Sequence, residues 1–161
     1  MIWAPFIIAA ICLIFEAFFS SSEIAIVSAD RAHIRKLAET GQRGARYVEY
    51  FFSRPHRLLA TTLLGTQLSV VTSTVVITLW LYRFDRAHVE LYLMLVLTPI
   101  IVIFGEIVPK AIVRHHANAL APRMALFLFA ASQILRPGVS LLSRLATWTQ
   151  QRLGIELHQP L

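Results

Sequence analysis

Apolar residues in this chain fall into three long runs separated by short polar stretches. The first covers residues 2–19 and is about the length needed to cross ~30 Å of hydrocarbon. It contains Glu16 and runs into Ser20-Ser21-Ser22-Glu23, but Ile24-Ala25-Ile26-Val27 resumes the pattern. The predicted helix therefore passes the serines and ends near residue 27, with the polar cluster embedded. The second run, residues 58–82, is long enough to cross with tilt. It places Thr61, Gly65, Ser69 and Ser73 at every fourth position, a small-residue stripe that lets another helix approach closely. The third, residues 89–109, contains Pro99 and closes on Phe104-Gly105-Glu106-Ile107-Val108-Pro109-Lys110. Proline at 109 has no N–H for the carbonyl four residues back, which is that of Gly105. This spacing predicts a helix break at Pro109, with a freed carbonyl beside the Glu106 carboxylate.

Between the first two runs, residues 31–56 read as two short helices joined near Gly41 and Gly44. The second places Tyr47, Val48, Phe51 and Phe52 on one face, and its mixture of arginine and aromatics suits a membrane interface. After the third run, residues 111–153 begin with a polar segment in which His115 and His116 are expected to be solvated. Residues 124–135 are apolar but too short to cross alone, and Arg136-Pro137-Gly138 interrupts them before an amphipathic stretch with Arg144, Trp148 and Arg152. A bent helical belt at the interface is the prediction; a fourth span is the alternative. The expected fold is all-α and integral to the membrane: three transmembrane helices, interfacial amphipathic helices and a juxtamembrane belt helix, as one domain over residues 1–161.

Composition agrees with the pattern. Hydrophobic residues make up 57% and charged residues 15%, below the roughly 25% of soluble domains. Mean hydropathy is +0.63. A net charge of +6 could suit nucleic acid, but in so apolar a chain the basic residues are better read as marking cytoplasmic loops and lipid head groups, and no nucleic-acid partner is expected. No positive charge precedes the first run, seven lie between the first and second, two between the second and third, and six follow. The positive-inside rule then puts the amino terminus outside and the carboxyl end in the cytoplasm. Cys12 stands alone, so no internal disulfide can form. No basic residue precedes the first run and no A-x-A-like site follows it, which argues against a secretory signal peptide.

The chemistry resides in the polar positions of the spans. Glu16, Ser20 and Glu23 are spaced four and three apart and share one helix face. Thr62, Thr66, Ser69 and Ser73 do the same on the second run, with Gln67 adjacent, and the third brings Thr98, Gly105 and Glu106. Ionisable groups in spans are expensive and are functional candidates by default. Glu16 reads first as a snorkelling or bundle-facing residue, with a ligand role as the alternative. Single Ser and Thr residues in such helices often bond their own backbone or join helices. The donor set is all oxygen, which suits a hard cation such as magnesium, calcium or sodium rather than zinc or copper. Nothing pairs a nucleophile with a base, and no enzymatic activity is expected.

Three stretches together resemble the transmembrane domain of the cyclin M/CorC family: Phe18-Phe19-Ser20-Ser21-Ser22-Glu23-Ile24-Ala25, then Leu63-Leu64-Gly65-Thr66-Gln67-Leu68, then Phe104 to Lys110. The Gly-Glu-Ile-Val-Pro-Lys element is the most specific of the three. The resemblance implies three membrane helices, an interfacial belt, a homodimer in lipid, and magnesium efflux with sodium as a possible coupling ion. It implies a magnesium site from Ser20, Ser22 and Glu23 on the first helix, Gly65, Thr66 and Gln67 on the second, and Glu106 on the third, to which the backbone reading adds Gly105. Thr66, Gln67 and Val70 stand where the family often has asparagines. Ser69 or Ser73 is the expected substitute for the ligand that Val70 cannot supply. Family members usually continue into a cytoplasmic pair of CBS domains, and this sequence ends at Leu161, about where that linker would begin. An excised domain and a stand-alone form are both open. The leading expectation is divalent cation transport in the cell membrane. The alternative is a non-transporting interaction or cation-sensing module that pairs with a full-length relative through the small-residue stripe.

Overall fold

A proline near its start and 25 residues of nearly unbroken apolar sequence make the first helix, α1 (Ala4–Ser28). In a computed structural model of the chain, which describes residues 3–84 and 88–138 together with 140, 141, 144 and 148, α1 runs straight through the serines as predicted. The serine hydroxyls explain why the helix tolerates them. Ser22 donates to the carbonyl of Phe18 at 2.6 Å and Ser21 to that of Ala17, so neither needs water.

Asp30 caps α2 (Arg31–Glu39) by accepting from the Ala32 amide at 2.9 Å. Gly41, at φ +91°, turns the chain into α3 (Arg43–Phe52). The two-helix reading of residues 31–56 therefore holds. Its aromatic face has a different partner from the one expected. Val48 and Phe51 are fully buried, and Tyr47 stacks on Phe129 at 4.4 Å between ring centroids. That face packs against α6 (Ala117–Ile134), so it meets protein rather than lipid. Gly44 permits the contact, because a Cβ there would lie 2.2 Å from the Pro122 carbonyl oxygen.

Two further long helices follow the basic segment: α4 (Pro55–Leu81) and α5 (Val89–His115). Together with α1 they are the three helices long and apolar enough to cross a membrane. The described residues are helical and contain no strand. α6 is not among the three, and residues 136–138 are again helical. The part of the predicted belt through Trp148 and Arg152 lies largely outside the described residues, as do residues 85–87 of the expected polar loop.

Two expectations need correction. The helix does not break at Pro109; it continues to His115. The turns are widened instead, with π-helical stretches at Leu93–Leu97 and Ile101–Ile107. The Thr98 amide reaches the Leu93 carbonyl and the Val108 amide that of Ile103, each five residues back. Each widened stretch lies just ahead of a proline, where the usual bond to the carbonyl four residues back cannot form. The second correction concerns the small-residue stripe. Thr61, Gly65, Ser69 and Ser73 are all buried within the domain, and α1 and α4 form the most extensive helix contact. A Cβ on Gly65 would sit 2.4 Å from the Phe19 ring. The stripe is used by α1 and is not open to a second chain.

Candidate cation site between the spans

α1, α4 and α5 enclose a cavity of about 320 Å³. α1 contributes Glu16, Ser20 and Glu23, each on the face that the spacing of four and three defines. α4 contributes Leu63, Thr66, Gln67, Val70 and Thr74, and α5 contributes residues from Leu93 to Lys110, about 25 Å of helix axis at ~1.5 Å per residue. Of the residues proposed from sequence, Ser20, Glu23, Thr66, Gln67 and Glu106 line this space.

Ser22, Gly65 and Gly105 do not line it. Ser22 is fully buried and bonded to its own helix. Gly65 makes room for Phe19. Gly105 makes room for Glu16: a Cβ there would lie 2.5 Å from the Glu16 carboxyl carbon. The glycine beside Glu106 thus admits a protein carboxylate, where the sequence suggested an ion approaching a backbone oxygen. Ser69 and Ser73 also stay out of the cavity; their hydroxyls return to the carbonyls of Gly65 and Val70 at 2.9 Å each. Neither lines the cavity that Val70 faces.

Three carboxylates therefore share one cavity in different states of satisfaction. Glu106 holds the Lys110 ammonium at 2.6 Å, one helical turn on. Glu23 accepts from the Thr62 hydroxyl at 3.2 Å. Glu16 is 2% exposed, and its Oε2 has no hydrogen-bond partner among the described residues. Counted as ionised, three carboxylates against one ammonium carry a formal charge of −2. Among the described residues no three His, Cys, Asp or Glu side chains converge closely enough to hold a metal by themselves. Any ion here must use neutral oxygens, from Ser20, Thr66, Gln67, Thr74 and Thr98, alongside one or two carboxylates.

The sequence offered a signal for Lys110 that charge counting passed over. A glutamate followed four residues later by lysine is the favourable order for a helical ion pair. A second cavity lies nearer the start of α1, between the same three helices. It is about 370 Å³, and its walls are apolar, with Phe6, Leu13, Trp80 and Ile100 among them.

The model of the cyclin M transmembrane N-terminal domain matches residues 7–160. The chain belongs to this family. Curated relatives of the cyclin M domain include a UPF0053 protein of Haemophilus influenzae, 30% identical over 153 residues that cover 94% of this chain and 36% of the relative. The UPF0053 inner membrane protein YfjD of Escherichia coli is 30% identical over 143 residues, 88% of this chain and 33% of its own length. A UPF0053 protein of Synechocystis is 28% identical over 146 residues. The chain thus spans about a third of the length of the curated relatives it matches. This cyclin M domain is a multi-pass membrane protein of a family with inner-membrane members.

Proposed function

We propose that this cyclin M domain moves a divalent cation, magnesium, across the membrane, with the carboxylate cavity as the ion's stopping place and sodium as the coupling ion. The observation that supports this most strongly is the shared cavity: three carboxylates and several hydroxyl and amide oxygens face one space between the three spans. Oxygen ligands, most of them neutral, favour a hard ion held weakly enough to leave. The ion enters as a hydrated cation and exchanges part of its water shell for Ser20, Thr66 and Gln67 oxygens, while the carboxylates supply charge. The chain works as a homodimer in lipid, with its amino terminus outside. The seven basic residues between α1 and α4 support that orientation.

Purified protein in liposomes loaded with a magnesium-sensitive dye tests the reading. Magnesium flux above that of empty vesicles supports it, and flux equal to empty vesicles ends it. A second reading, a cation-sensing module that does not transport, is favoured by Val70 in the cavity wall and by Lys110 already seated on Glu106. It predicts magnesium binding to the purified protein without flux.

A further inference from the structure

Two of the three carboxylates in the cavity wall, Glu16 and Glu106, differ in one respect. Glu106 is already neutralised, because the Lys110 ammonium sits 2.6 Å from its Oε1. Glu16 lines the same space, is almost wholly buried, and has no partner for Oε2 among the described residues. A buried carboxylate oxygen with nothing bound to it is costly in a membrane helix, and charge at such a position persists where something pairs with it. The packing around Glu16 looks specific. Gly105 has no side chain where the Glu16 carboxyl lies, so α5 approaches α1 closely at this level. Ser20, one turn along the same face, adds a hydroxyl to the same wall.

We infer that the first seat for a divalent cation in this cavity is Glu16, and that the Glu106 position is filled in the resting protein by the chain's own ammonium. The inference rests on the transport reading above and assigns the charge differently from the motif-centred expectation. Lys110 acts there as a tethered stand-in for the ion. A cation at Glu16 displaces no protein cation, whereas one at Glu106 must first displace Lys110. The ion's second carboxylate becomes available only when that ammonium swings away.

Magnesium binding to the purified full chain, measured by titration calorimetry, separates the two positions. Glu16→Gln keeps size and hydrogen-bonding capacity and is expected to weaken binding at least tenfold. Removing the ion pair as a unit, Glu106→Gln with Lys110→Met, keeps the formal charge of the cavity and is expected to weaken binding less than Glu16→Gln does. Lys110→Met alone is expected to tighten binding, because it frees Glu106. Wild-type affinity in Glu16→Gln would overturn the inference, as would loss of binding in the pair-removed variant while Glu16→Gln still binds. Either result would leave the transport reading standing. Absence of magnesium binding to the wild-type chain would overturn both. Should Glu16→Gln not fold, as judged by its elution and helical circular dichroism, the tightening by Lys110→Met decides: unchanged or weaker binding there overturns the inference.

Discussion

The same three helices enclose two cavities of similar volume, about 320 and 370 Å³, and they differ in every chemical respect. One has three carboxylates, an ammonium and several neutral oxygens in its wall. The other is lined by Phe6, Leu13, Trp80, Ile100 and their neighbours, and its single serine, Ser73, gives its hydroxyl to the Val70 carbonyl. Space between spans is therefore not itself a sign of function, because crossing helices leave gaps that lipid tails or nothing can fill. Ionisable groups kept inside a span at real cost set the first cavity apart. The side-chain oxygens sort accordingly. Those facing α1 from α4 bond their own backbone, while Thr66, Gln67 and Thr74 face the gap.

The comparison breaks most severely if a carboxylate is tolerated in the apolar cavity. Leu13→Glu is expected to destabilise the domain by about 2.5–3.5 kcal/mol, the penalty for an acidic residue at a span centre. Thermal unfolding in detergent measures this, and an unchanged midpoint would mean that the second cavity is wet as well. Next in size is Glu106→Ala, which removes a carboxylate and leaves the Lys110 ammonium facing the ion. Magnesium flux should fall at least tenfold, about 1.4 kcal/mol, and adding Lys110→Met should recover most of it. Recovery that fails would show Glu106 acting as more than the holder of Lys110. Val70→Asn places an amide oxygen in the wall where a methyl pair now stands. Magnesium affinity should rise a few-fold by calorimetry; no change would put Val70 out of reach of the ion. The smallest effect is that of Thr62→Val, which removes the 3.2 Å bond to Glu23 and should cost about 0.6 kcal/mol of stability, the usual size of a hydrogen bond between membrane helices.

Most of the frame was legible in the chain because hydrophobic runs of spanning length have few alternatives. α1 could be extended past Ser20–Ser22 from the return of apolar residues alone, and the face shared by Glu16, Ser20 and Glu23 follows from helical spacing. What could not be read is what each face meets. The stripe of Thr61, Gly65, Ser69 and Ser73 signals close approach but does not name the partner, which is α1 of the same chain. Pro109 signals a missing hydrogen bond, yet the chain can answer that with a stop or with a widened turn, and the local sequence does not choose between them. The aromatic face of α3 fits lipid and fits protein, and only the placement of Phe129 decides. The site itself was half legible. Carboxylates stand out in apolar sequence, but the pairing of Glu106 with Lys110 and the isolation of Glu16 depend on which oxygens are left over once the helices have packed.

The contact between Glu16 and Gly105 reaches beyond this one chain. The volume that a methyl group at position 105 would fill is the volume that the Glu16 carboxyl occupies. The two positions, far apart in sequence, therefore draw on a single allotment of space. Among relatives they should be inherited as a unit: a lineage that gains a side chain at 105 must shorten the residue at 16, and one that shortens 16 is released from glycine at 105.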